Sequence, residues 1–236
     1  MKQQPEIKPE DRHPLEKGEV ILVDKPIGWT SFNVVSRVRN WAHREVGRKV
    51  KTGHAGTLDP LASGLLIICT GSFTKRIEEF QARQKEYTGT FVLGSVTKSY
   101  DLECEVEYGG EYRHLTPALL EEAARRLTGP IKQIPPVFSA VKINGKRAYQ
   151  YARADKEVEL TAKNVHIHTF ELSRIALPEV DFRIVCSKGT YIRSIARDFG
   201  ESLGCGAYLS ALRRTRIGDF DVKDARPVEA FLPPKP

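Results

Sequence analysis

The chain has 236 residues, 40% hydrophobic and 28% charged, and its 37 Lys and Arg against 30 Asp and Glu leave a net charge of +7. That composition can build a core and excludes a disordered chain, while the longest apolar run, Leu65-Leu-Ile-Ile-Cys69, is far short of the roughly 20 residues a spanning helix needs. Residues 1–16 are polar and proline-spotted with no apolar stretch of a secretory signal, so a soluble cytoplasmic protein is expected.

Residues 1–17 read as a mobile tail. Residues 19–23 form a strand candidate, broken by Asp24-Lys25-Pro26 and Gly28. Thr30 or Ser31 can cap a helix whose Val34, Val35, Val38 and Trp41 keep helical spacing. Residues 49–64 are dense in turn formers and lead into a buried strand over 65–70. A short helix is expected over 72–83, an alternating strand over 85–96, and a partner strand with an acidic outer face over 103–108. Thr116-Pro117 opens the next helix and Gly129-Pro130 closes it. Asn144-Gly145 is a strong hairpin signal within 141–147, leading to a helix that carries Tyr149 and Tyr151. A strand over 181–187, an amphipathic helix over 191–203 ended by Gly204, and a strand over 208–217 complete the chain. Strands outnumber helices and several are joined by hairpins, which predicts an α+β fold with a mixed, mainly antiparallel central sheet flanked by helices.

Cys69, Cys104, Cys186 and Cys205 are widely separated and form no C-x-x-C pair. Cys69 and Cys186 lie in apolar, strand-like runs and read as small buried hydrophobes. His166 and His168 share one face of a strand without a third ligand, so no metal site is expected.

Positive charge is concentrated in three places. Residues 37–51 carry Arg37, Arg39, Arg44, Arg48, Lys49 and Lys51 against Glu45; residues 132–156 include Lys142, Lys146 and Arg147; residues 188–216 include Arg193, Arg213 and Arg214. A basic excess confined to three segments of an otherwise acidic chain suits one cationic surface facing a polyanion, or equally three separate solvated faces.

The loop Gly53-His54-Ala-Gly-Thr-Leu-Asp59-Pro-Leu-Ala-Ser-Gly64 sets one carboxylate among small residues that let a ligand approach the backbone. On composition alone, an Asp-Pro turn bonding its own backbone is the commoner role. Lys25-Pro-Ile-Gly-Trp-Thr-Ser31 has the look of a phosphate loop but lacks P-loop spacing. Lys188-Gly-Thr-Tyr191-Ile-Arg193 places a basic side chain just inside a helix, where a surface arginine is the commoner case.

Taken together, these segments resemble the TruB-type tRNA pseudouridine synthases. The resemblance rests on Lys25-Pro-x-Gly-x-Thr-Ser31, the long aspartate motif through Gly64, Lys85-x-Tyr87 followed by Leu93-Gly94, Ile134-Pro-Pro-Val-Phe-Ser-Ala-Val-Lys142, and Lys188-Gly-Thr-Tyr-Ile-Arg193, in that order. It runs from about residue 18 to about residue 220. It implies the pseudouridine synthase fold, with a catalytic domain over 18–225, a basic hairpin or thumb inserted at about 130–155, and a C-terminal tail over 226–236 too short for the PUA-type RNA-binding domain of longer members. RNA affinity should then lean on the hairpin and the 37–51 cluster.

The activity implied is isomerisation of uridine 55 in the T-arm loop of tRNA to pseudouridine, after the base leaves its stack. No cofactor or metal is needed, no membrane is involved, and a monomer is expected. By resemblance Asp59 is the catalytic carboxylate, nucleophile or base, and Arg193 the guanidinium that pairs with it and keeps it ionised. Tyr87 stacks on the target uracil, and Tyr191 supports the same pocket. His54 helps hold the everted loop, Lys25 belongs among the supporting groups, and Lys142, Lys146 and Arg147 contact RNA. An RNA-folding module with secondary catalysis is the competing reading, and a metal-dependent RNA hydrolase lacks the clustered carboxylates or histidines it would need.

Overall fold

The computed structural model describes residues 12–233 apart from residues 140, 144, 153, 155 and 157. The chain divides into two compact units, one of residues 1–83 with 214–236 and one of residues 84–213.

The first unit begins with α1 (Pro14–Lys17), β1 (Val20–Lys25) and α2 (Ser31–Val46), followed by β2 (Thr52–His54), β3 (Ala62–Thr70) and α3 (Ile77–Ala82). The second contains β4 (Lys85–Leu93), β5 (Ser95–Val96), β6 (Glu107–Tyr108), α4 (Pro117–Arg126) and β7 (Gly129–Gln133). It continues through β8 (Lys142–Ile143), β9 (Lys146–Arg147), α5 (Ala148–Ala152), β10 (Lys163–Ala176), β11 (Glu179–Cys186) and α6 (Ile192–Ser202). Strand β12 (Ala207–Ile217) passes from the second unit back into the first, which ends with β13 (Phe220–Asp221) and β14 (Arg226–Pro227).

In the first unit β1 pairs antiparallel with β3 and parallel with β14, so the sheet is mixed, and β2 lies antiparallel on the far part of β3. Strand β3 is apolar on both faces for a reason visible in its neighbours. Leu66 and Ile68 pack with Val34, Val35 and Val38 of α2, while Leu65, Ile67 and Cys69 pack with Ala55, Phe80 and Ile217. A strand covered on both sides loses the period-2 alternation and reads as a continuous hydrophobic run. Thr30 caps α2: its hydroxyl accepts from Asn33 N, and the Asn33 side chain accepts from Thr30 N. Gly47 closes the helix in the left-handed conformation.

In the second unit β4, β11, β10 and β7 pair antiparallel in that order. Its core holds Phe91 and Phe182 stacked at 4.1 Å, with Phe199 of α6 at 5.6 Å from Phe91. The α+β class with mainly antiparallel pairing is therefore borne out.

Several boundaries differ from the sequence reading. Residues 14–17 were expected in a mobile tail, but they form a helical turn that buries Leu15, and Glu16 pairs with Arg48 at 2.5 Å. Residues 226–231, expected as a tail, add β14 beside β1 and bury Val228 and Phe231, whose ring meets Trp41 edge-on at 5.3 Å. Elements this short show no periodicity. Gly129-Pro130 does not close α4, which ends at Arg126; it opens β7. Proline is tolerated there because β7 is the last strand in its sheet and can leave one edge without donors. Of the strand expected over 103–108, only Glu107–Tyr108 forms, because Glu103 N and Cys104 N are drawn into a turn by Asp101 Oδ1 and Ser99 Oγ. In the hairpin, Ile143 pairs with Lys146, and Asn144 lies outside the described residues.

Candidate active site

Asp59 sits half-buried in the loop between β2 and β3, and that loop is held by its backbone from several directions. The hydroxyl of Ser31, buried at the start of α2, donates to Leu58 O at 3.0 Å and accepts from Leu58 N at 2.8 Å. Gly28 N donates to Pro60 O at 2.8 Å, and Ala62 N to Asp59 O at 3.1 Å. Lys25 is 0% exposed, with Nζ donating to Trp29 O at 2.6 Å, Pro26 O at 3.0 Å and Pro60 O at 3.5 Å. From the opposite end of the loop Arg214, 1% exposed, donates Nε to Leu65 O at 2.8 Å, Nη2 to Gly56 O at 3.2 Å and Nη1 to Thr57 O at 3.4 Å. Gly64 explains how Arg214 comes so near. Its φ is +102°, and a Cβ there would stand 2.3 Å from Arg214 O. Only glycine permits that approach.

Two buried cations thus grip a loop that carries one carboxylate. Burial pushes the Lys25 ammonium down to about 8, the charge of Asp59 opposes that shift, and the charge of Arg214 adds to it. Burial likewise lowers His54, reinforced by Arg214 and opposed by a hydrogen bond with the Gly56 backbone, and the buried His54 Nδ1 has no hydrogen-bond partner among the described residues. A histidine held neutral in this way suits a polar contact better than proton transfer.

The Lys25 value has a consequence for stability. An unfolded lysine titrates near about 10.4, so between about 8 and that value the unfolded chain binds the additional proton and stability rises with pH. Denaturant unfolding of wild type and Lys25→Met at pH 7.5 and pH 9.5 is expected to show the wild type's advantage widening at the higher pH. A constant or shrinking gap would contradict it.

In the second unit Tyr87 is buried on β4, opposite Ile184 of β11. Arg193 is the second residue of α6 and only 5% exposed, so the surface-arginine alternative does not hold. Its Nη1 donates to Ser99 O at 3.1 Å and its Nη2 to Phe138 O at 2.8 Å, and Nε lies 3.6 Å from Asp101 Oδ2. The backbone of Tyr191 is gripped at both ends by the buried Gln133, which accepts from Tyr191 N at 2.8 Å and donates to Tyr191 O at 3.2 Å. Lys146 is exposed on the β8–β9 hairpin, while the side chains of Lys142 and Arg147 lie outside the described part of the structure. His166 and His168 stand exposed on β10 with ring centroids 4.6 Å apart. Among the described residues no three His, Cys, Asp or Glu side chains gather as metal ligands.

The structure therefore gathers Lys25, His54 and Asp59 in one unit and places Tyr87, Tyr191 and Arg193 in the other. Sequence reasoning gave Ser31 only a candidate capping role and Arg214 only a place in a basic segment, and it gave none to Asp101 or Gln133. Ser31 stood inside a quoted motif, but an N-terminal serine reads first as a cap, and Thr30 takes that position. Arg214 stood in a basic segment, where nothing marks one arginine as buried.

Solved structures with the same fold supply the class. Over 95% of its length the chain superposes on a chain of a Cbf5-Nop10-Gar1 complex with a TM-score of 0.67 and 28% identity, spanning 59% of that chain. A similar likeness, with a TM-score of 0.65 and 25% identity over 96% of this chain and 59% of that one, joins it to an H/ACA RNP bound to a substrate RNA containing 2′-deoxyuridine. The fold is that of the Cbf5/TruB-type pseudouridine synthases.

Residues 44–192 match the TruB family pseudouridylate synthase N-terminal domain, and residues 193–232 match the tRNA pseudouridylate synthase B C-terminal domain. The relative named tRNA pseudouridine synthase B from Flavobacterium johnsoniae is 52% identical over 91% of this chain and 95% of its own length. That of Phocaeicola vulgatus, with the same name, is 54% identical over 92% of each. The chain belongs to the TruB family of pseudouridylate synthases.

Proposed function

We propose that this protein is the isomerase that converts uridine 55 in the T-arm loop of tRNA to pseudouridine. The relatives that match over nearly their full length are named as tRNA pseudouridine synthases, which fixes the substrate class for the proposal. The observation that carries it is the aspartate loop: a single carboxylate on a backbone immobilised by Ser31, Lys25, Gly28 and Arg214. Holding a reacting group in one geometry removes much of the entropic part of a barrier.

The reaction breaks the bond between uracil N1 and ribose C1′, turns the base, joins C5 to C1′, and releases the C5 proton to solvent while N1 takes one proton up. Nothing is added or lost, so the chain's own groups suffice. Asp59 acts as nucleophile or base, Arg193 is the guanidinium assigned to pair with it, and Tyr87 stacks on the uracil, an interaction worth about 1–3 kcal/mol per base. His54 and Tyr191 hold the everted nucleotide, Lys25 supports the loop from below, and Lys142, Lys146 and Arg147 on the hairpin meet the RNA backbone.

The protein acts in the cytoplasm as a monomer on the T-arm stem-loop. Among the described residues no helix is long and apolar enough to cross a membrane. The test is direct. T-arm stem-loop RNA tritiated at uracil C5 should release its tritium to water on incubation with the protein alone. RNA that is bound and refolded but keeps its tritium would instead favour the RNA-folding reading.

A further inference from the structure

The basic segment over 37–51 separates into spent and available charge. Arg48 is paired with Glu16, and Arg44 donates to Phe231 O at 3.1 Å. Arg37 and Arg39 are arranged differently, with no acidic partner among the described residues: the Arg37 guanidinium lies 5.6 Å from the Trp29 ring centre, and that of Arg39 lies 6.0 Å from the ring of Phe32 while its Nη2 donates to Ser36 Oγ at 3.3 Å. They border the solvent face of α2, which runs from Phe32 and Arg39 across Ser36 and Asn40 to Asn33 and Arg37. Helical spacing puts Glu45, the one acidic residue of α2, on the other side.

This face is unusual for a solvated helix. Phe32 is 64% exposed and the neighbouring Ile27 is 65% exposed. Beside Arg37 lies an open cleft of about 510 Å³, lined by Gly28, Trp29, Asn33, Ser36, Arg37 and Asn40, with no carboxylate among the described lining residues. Hydrogen bonds tie the lining of the cleft to the loop that carries Asp59. Gly28, on its rim, donates to Pro60 O, and Trp29 O accepts from the same Lys25 ammonium that reaches Pro60 O.

We propose that the solvent face of α2 is an RNA-docking surface, which receives the part of the substrate that continues from the uridine held at Asp59. The inference rests on the isomerase reading above and extends it to a specific stretch of RNA. Phosphates meet Arg37 and Arg39, which their aromatic neighbours hold as flat, pre-oriented forks. Asn33, Ser36 and Asn40 offer hydrogen bonds to a ribose or a base edge, and the cleft is large enough for one nucleotide. The occupant is identified by chemistry: two guanidinium groups without an acidic counterpart among the described residues, amides and a hydroxyl between them on the helix face, and an exposed ring for stacking, all beside a loop that acts on RNA.

The experiment measures the dissociation constant of T-arm stem-loop RNA and of full-length tRNA across a salt series, for wild type, Arg37→Gln/Arg39→Gln, and Asn40→Glu. Each lost phosphate contact removes about 0.7–0.9 from the slope of log affinity against log salt. The double variant is therefore expected to bind about tenfold more weakly at low salt, with a slope shallower by about 1.5. Asn40→Glu should weaken binding without altering the melting temperature, and it keeps the test open should the double variant fold poorly. Unchanged affinity in both variants, or weaker binding by the double variant with an unaltered slope, would overturn the proposal. Because these arms read binding alone, tritium release by wild type on the same RNA decides the isomerase reading separately.

Discussion

Asp59→Asn is expected to release no tritium from C5-labelled T-arm RNA, a loss of at least about 10³-fold in single-turnover rate, while RNA affinity stays within about threefold of wild type. The first half follows from chemistry, since an amide can neither attack a carbon nor accept a proton as a carboxylate does, and removing a reacting group typically costs this much or more. The second half follows from how the loop is built. Its shape is fixed through Leu58, Pro60, Gly56 and Thr57 backbone groups, which the substitution leaves in place. The change should also reach Lys25. Asp59 raises that ammonium's proton affinity, so its removal should push Lys25 further below about 8. Appreciable turnover by Asp59→Asn would remove Asp59 from the chemistry altogether.

Arg214→Met should be the most damaging substitution outside the reacting groups. It leaves Leu65 O without this donor in the core, and Gly56 O and Thr57 O, in part-buried bonds, without theirs. An unsatisfied buried acceptor costs about 1–3 kcal/mol, and two of these bonds are long. A total of about 2–4 kcal/mol is expected, partly offset by no longer burying a cation. For a chain of this size that is a fall of about 4–15 °C in melting temperature, readable by calorimetry. Turnover should fall about 10–100-fold, because a displacement of the order of an ångström at the reacting group is enough. Arg214→Lys keeps the charge but not the fork, so it should recover stability more than rate. A further readout separates positioning from bulk stability: with Arg214 gone, His54 should titrate higher than in wild type, since that charge helps to hold it down. Wild-type melting and turnover in Arg214→Met would show that the clamp is dispensable.

Much of the first unit could be read in the chain itself, for identifiable reasons. The cap at Thr30 and the spacing of Val34, Val35 and Val38 specify α2, and the uninterrupted run of β3 reflects burial on both faces. The loop bearing Asp59 stood out by its glycines and proline, and Gly64 shows that one of them is there for close packing rather than for the turn. What the sequence could not convey is long-range. Arg214 reaches carbonyls about 150 positions away along the chain, and its partners are backbone oxygens, which have no residue signature. Arg193 has the same difficulty: its bonds to Ser99 O and Phe138 O depend on turns that carry no periodic pattern. Pro130 misled because a proline after a helix normally marks its end, whereas here an edge strand accommodates it.

The most direct measurement is the position of pseudouridine in a full-length tRNA transcript incubated with the pure protein, located by carbodiimide labelling and primer extension. The proposed function predicts one stop, one nucleotide 3′ of position 55, appearing with wild type and missing with Asp59→Asn. A transcript left unmodified at 55, or modified elsewhere with 55 untouched, would contradict the assignment of this loop to T-arm isomerisation.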